Sequence, residues 1–280
     1  MKLGIIEQLT HSTVRLECTL NNGDVSCGTG FFVNFLQTSD ECVPAIVTNK
    51  HVIAGSVRGR FNLTIANEEY MPILGRHEQI EFTNFETKWI KHPDPDIDLA
   101  VFPIGPLLNE AKSQNINFFY VPLRTELIPP EAERADLSSM EDVVMIGYPN
   151  GIWDSTNNLP VIRKGISATH PNTKWNGKQV FLTDIASFPG SSGSPVFLAN
   201  IGGYMDKRGN VYMGKSRIRL LGVHYAGAMH TATGEIRIIT APCGTRPLPV
   251  TQIPNNIGVV ISSSKLLDFE PILRKLMGLA

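Results

Sequence analysis

The stretch FPGSSGSPVF, residues 188–197, sets a serine among glycines and a proline immediately ahead of an apolar run at 195–198. A tight turn feeding a strand displays a hydroxyl from a rigid support, as a nucleophile requires. The same composition also makes an ordinary loop between two strands. A serine hydroxyl attacks poorly until a neighbouring base takes its proton, so the nucleophile reading demands a histidine and an orienting acid elsewhere in the chain.

Two segments upstream supply them. In AIVTNKHVIAG (45–55) an apolar strand ends in polar residues and delivers His51 at its edge, followed by Val52, Ile53 and the breaker Gly55. A single histidine beside apolar residues more commonly packs than reacts, so His51 gains meaning only from a partner. In HPDPDIDLAVFPI (92–104) only Asp98 directly abuts the apolar run 99–102. Asp98 is thus the carboxylate placed for partial burial, where an imidazole N–H offsets the cost of desolvation. Asp94 and Asp96 read as turn acids that cap their own backbone.

The rest of the chain sets the class. At 280 residues it holds one large domain or two ordinary ones. Charged residues make up 18%, with 24 glycines, 19 prolines and little helical periodicity, which points to an all-β protein rich in turns. A net charge of −1, from 25 basic and 26 acidic residues, argues against nucleic acid or an anionic membrane as partner. Polar residues interrupt the N-terminal MKLGIIEQLTHSTVRLEC too soon for a signal-peptide core, and no apolar run approaches membrane-spanning length, so a cytoplasmic protein is expected. Cys18, Cys27, Cys42 and Cys243 lack CxxC pairing, which argues against a zinc site and for reduced thiols.

Strand-type runs are expected at 13–18, 30–35, 45–48 and 52–53, with hairpin turns at 21–23 and 38–41. Residues 105–140 lack alternation and read as a surface connection, so the domain boundary falls there: residues 1–125 and 126–280. Strand patterns resume at 142–146, 160–166, 179–185, 194–198 and 218–225, with a long polar hairpin over 199–216. In the tail, Phe269, Ile272, Leu273, Leu276 and Met277 share one helical face, with Pro271 admissible in a first turn.

His51, Asp98 and Ser192, in that order and each in its strand context, resemble the trypsin-like serine proteases over roughly residues 13–264. The resemblance implies two antiparallel six-stranded β-barrels, with the active site in the cleft between them and a short C-terminal helix added. His51 and Asp98 fall in the first barrel and Ser192 in the second. It further implies that Ser192 attacks a peptide carbonyl, that His51 shuttles the proton, and that Asp98 holds the imidazole. The backbone N–H groups of Gly190 and Ser192 form the oxyanion hole, worth about 3 kcal/mol per donor, and no cofactor or metal takes part. The segment differs from an α/β-hydrolase elbow, since Ser194 stands where that motif needs glycine.

Digestive members of the family carry an acid directly before the nucleophile, which pairs with a freshly cut N-terminus. Ser191 stands there, so activation of that kind is not expected, and the GSSGSP form looks more like bacterial peptidases such as glutamyl endopeptidases and HtrA-like enzymes. The strand LLGVHYAG (220–227) matches the family's pocket-lining segment, which assigns Ser187, His224, Tyr225, Ala226 and Gly227 to substrate binding. His224 and Ser187 together suit a Glu or Gln side chain before the cut. The alternative is a satisfied core histidine and a plain loop serine. Two functions stand open: an endopeptidase acting on a protein or peptide substrate, with an activating or targeting partner unassigned, and a latent protease-fold protein that binds peptides within a larger complex.

Overall fold

The computed structural model describes residues 3–233 and 250–278. A first helix, α1 (Ile5–Thr10), leads into β1 (Thr13–Leu20) and β2 (Val25–Phe35). These join across the turn at Asn21 to Asp24, where Gly23 adopts φ +88 and Leu20 N–H donates to the Asp24 carbonyl. Next come β3 (Val43–Thr48), the one-turn α2 (Lys50–Ile53), β4 (Ser56–Ala66), β5 (Pro72–Thr83), β6 (Ile90–Lys91) and β7 (Ala100–Pro103). Val52 and Ile53 therefore belong to a helical turn, where a strand is expected from their apolar character. Both side chains are buried, and two adjacent apolar residues do not distinguish the two periodicities.

The first half forms one nine-stranded sheet in the order β5-β4-β1-β2-β3-β7-β6, with β8 (Phe118–Phe119) pairing β4 and β9 (Leu123–Arg124) pairing β2. Its hydrogen-bonded path differs from the six-stranded barrel expected there. Aromatic side chains bridge the open seam: Phe82 at the end of β5 meets Phe102 of β7 edge-on at 5.2 Å, and Phe85 and Trp89 join them. Residues 105–140 are more structured than their composition suggests. They hold α3 (Gly105–Ser113), β8, β9 and α4 (Glu131–Ala135).

In the second half β10 (Asp142–Gly147), β11 (Val161–Ser167), β12 (Val180–Asp184), β13 (Pro195–Asn200), β16 (Arg217–Thr233) and β17 (Val250–Ser262) close a barrel in the order β10-β11-β12-β17-β16-β13. The small hairpin β14 (Gly203–Met205) and β15 (Val211–Met213) stands between β13 and β16 in sequence, within the expected polar hairpin. The fold is thus mostly β, with a closed six-stranded barrel, a second sheet and a short C-terminal helix. A 3₁₀ segment, Ser263–Phe269, runs into α5 (Glu270–Leu276), with Pro271 in its first turn as the tail sequence allows.

One apolar cluster crosses the two halves. Phe31, Val47 and Val101 from the sheet share it with Ile146, Phe197 and Val223 of the barrel. Phe269 from the tail packs there too, against Phe35 and against His92. The loops at the junction of sheet and barrel therefore rest on packed side chains from both sides.

Candidate active site

His51 sits on α2, the single turn that follows β3. Val52 and Ile53 anchor that turn in the core and leave the His51 ring half-exposed. Asp98 lies just ahead of β7, between the buried Ile97 and Leu99. The two meet closely: His51 Nδ1 donates to Asp98 Oδ2 at 2.5 Å, and the His51 backbone N–H donates to Oδ1 at 3.1 Å. Asn49 Nδ2 donates to the Asp98 carbonyl at 2.7 Å, tying the two loops together. Burial pushes the Asp98 carboxyl up, but the His51 hydrogen bond and charge and the backbone N–H groups outweigh it, so the group is held below its ordinary 3.8. Asp94 caps its own turn through Asp96 N–H, as a turn acid does.

Ser192 is carried by the turn that feeds β13. Its Oγ donates to the Tyr225 carbonyl at 3.4 Å and makes no hydrogen bond to His51. The loop around it is held from several directions. Thr29, on β2, donates its N–H to the Ser192 carbonyl at 2.9 Å and its hydroxyl to the Gly190 carbonyl at 3.0 Å. Asn150 N–H donates to the Pro189 carbonyl at 2.5 Å, and Gly193 N–H to the His224 carbonyl at 2.8 Å. Among the described residues, neither Gly190 N–H nor Ser192 N–H has a protein acceptor. Because the Pro189 carbonyl is taken by Asn150, the far side of that peptide turns the Gly190 N–H the other way. Gly190 has φ +84, and a Cβ there would sit 2.5 Å from the Tyr148 carbonyl, so both conformation and space require glycine.

Ser187 and His224 are both buried, and Ser187 Oγ is 2.9 Å from His224 Nε2. Among the described residues, His224 Nδ1 is buried with no partner. Burial above all, then the charges of Arg163 and His51, lowers the His224 pKa to about 3, so the ring is neutral near pH 7. Tyr225, Ala226 and Gly227 follow on β16 beside a β-bulge against β17, and all three are half-buried. The structure thus brings together His51 with Asp98, and Ser187 with His224, while Tyr225 meets Ser192. Thr29, Asn150 and Arg163 shape the same loop and carry no motif. Arg163 sits where alternation along β11 places it inward while Ile162 is exposed, the reverse of a hydrophobic pattern.

Cys18, Cys27 and Cys42 are unpaired, and Cys243 lies outside the described residues. Among the described residues no helix is long and apolar enough to cross a membrane.

Residues 28–202 match the trypsin-like peptidase domain. That span is more than half of the chain, and the protein belongs to this family. No curated protein sequence matches the chain. Among solved structures it is similar to the HtrA-type protease AlgW with a tripeptide, at TM-score 0.49 and 17% identity over 98% of this chain and 62% of that one. It is similar also to a serine endoprotease from Yersinia pestis, at TM-score 0.47 and 16% identity over 96% of this chain and 65% of that one. The chain therefore spans less than two thirds of the length of either protein.

Proposed function

We propose that this chain is a serine endopeptidase acting through Ser192, His51 and Asp98. The observation that carries the reading is the Asp98 carboxylate bound twice to His51, at Nδ1 and at the backbone N–H. With its proton on Nδ1, the ring keeps the Nε2 lone pair free to act as base. Ser192 Oγ leaves the Tyr225 carbonyl by rotation about χ1, gives its proton to His51 Nε2 and attacks the peptide carbonyl. The unpaired Gly190 and Ser192 N–H groups receive the charge that develops on the carbonyl oxygen. His51 then passes its proton to the leaving amine, and water hydrolyses the acyl-enzyme by the reverse sequence.

The Ser187–His224 pair supports a pocket for Glu or Gln before the scissile bond. Ser187 and a neutral His224 supply between them a hydroxyl proton and a ring N–H, of which their mutual bond uses one, leaving a donor for a carboxylate or amide oxygen. Unpaired Cys18, Cys27 and Cys42 fit a cytoplasmic setting. A second reading, a latent peptide-binding protein, draws on one feature: Ser192 Oγ faces the Tyr225 carbonyl instead of His51.

Reaction with a fluorophosphonate probe separates the two. The endopeptidase reading expects covalent labelling of Ser192, abolished in Ser192→Ala and lost in His51→Ala. A folded wild-type chain that stays unlabelled in any condition sinks it in favour of the binding protein. Cleavage of a peptide library is expected to show Glu or Gln before the cut, and a Lys/Arg or apolar profile refutes the pocket assignment.

A further inference from the structure

Arg163 projects from β11 into the base of the loop that carries Ser192. Its Nη1 donates to the Ala186 carbonyl and to Ser191 Oγ, both at 2.7 Å. One guanidinium nitrogen with two diverging protons serves two acceptors, an arrangement a planar fork meets well. Ser191 is fully buried, and its Oγ also accepts Phe188 N–H at 3.3 Å, so this hydroxyl gathers the loop onto the arginine. Among the described residues, Nε and Nη2 of Arg163 are buried without partners and no carboxylate pairs with it. Burial lowers its pKa to about 10, which leaves it charged near neutrality. A buried cation without a counter-ion is costly to keep. Its two strong bonds both end on the segment 186–191, between the pocket residue Ser187 and the residue before Ser192.

We propose that Arg163 is a positioning residue: by tying the Ala186 carbonyl to the Ser191 hydroxyl, it holds the 186–192 loop in the shape that leaves the Gly190 and Ser192 N–H groups unpaired. Thr29 and Asn150 hold the backbone at 189–192 from other segments, so Arg163 is the inner of two restraints. The consequence for catalysis rests on the endopeptidase reading. The consequence for loop shape does not.

The test compares the whole wild-type chain with Arg163→Met, which keeps the apolar stem and removes the donors, and with Ser191→Ala, which removes one acceptor. Amide hydrogen exchange over 186–194 is expected to quicken about tenfold in R163M and less in S191A, with the rest of the barrel unchanged. The fluorophosphonate labelling rate constant is expected to fall about 10–100-fold in R163M, short of the 10²–10³ lost when an oxyanion donor is removed outright. The double variant should lose less than the product of the two single losses, because both changes break the Arg163–Ser191 bond while only S191A also frees Phe188 N–H. Wild-type exchange and labelling in both variants, or additive losses in the double variant, overturn the proposal. If R163M fails to fold, S191A decides: a quickened loop supports the role and wild-type exchange refutes it. A wild-type chain that does not label, with a loop that loosens in R163M, refutes the endopeptidase reading and leaves the positioning role standing.

Discussion

Both oxygens of Asp98 face His51, whereas His224 has its partner on one nitrogen only, and this difference separates the two histidines. Two contacts to one carboxylate fix ring position and tautomer together, and the ring stays half-exposed. His224 is enclosed, and enclosure disfavours its charged form. The folded protein takes up a proton there only near pH 3, against the ordinary 6.5 in the unfolded chain. Between those values the unfolded state binds the extra proton, so stability is complete above about 6.5 and falls as the pH drops below it. Urea midpoints measured from pH 7 to pH 4 are expected to decline, and His224→Gln, which keeps a hydrogen-bonding amide and removes the titration, is expected to flatten part of that decline. An unchanged slope in the variant contradicts the burial argument.

At the scale of elements, each candidate site side chain stands on a short irregular piece anchored by a longer regular one. The helical turn α2 hangs from β3, the Ser192 turn feeds β13, and the bulge in β16 sets the half-buried Tyr225 beside Ser192. Bulges re-aim residues next to sites in this way without ending the strand. The C-terminal α5 contributes differently. Phe269 at its start is fully buried between Phe35 and His92, and His92 Nε2 donates to Asp268 at 3.2 Å. Truncating a buried phenylalanine typically costs about 3–5 kcal/mol. Phe269→Ala is therefore expected to destabilise the whole protein by that order in chemical denaturation. A loss below about 1 kcal/mol would mean that the tail merely lies on the surface, since substitutions at exposed sites stay within about 0.5 kcal/mol.

Across the whole molecule, what was legible in the sequence followed how local the controlling physics is. The hairpin at Asn21 to Asp24, the strands β10 to β13 and the tail helix depend on periodicity and turn residues within a few positions, whereas β17, which closes the barrel between β12 and β16, was not expected from the sequence. Val52 and Ile53 were not legible, because their packing against the sheet selects a helical turn that two residues cannot encode. The open edge of the first sheet was not legible either. Phe82, Phe85, Trp89 and Phe102 bridge it by side-chain packing, and no period in the sequence reports a contact between β5 and β7. Taken alone, the sequence determined the family, the β class and the residue types available for a nucleophile, a base and an acid, because each sits in a short segment with its own turn and strand signals. Only the tertiary structure decided that Ser192 Oγ faces Tyr225, that Thr29 and Asn150 restrain the loop, and that a charged Arg163 lies inside it. Those are contacts between residues far apart in the chain: Thr29 reaches the loop only once the sheet and the barrel have packed together, and the others form only once the second half has folded on itself.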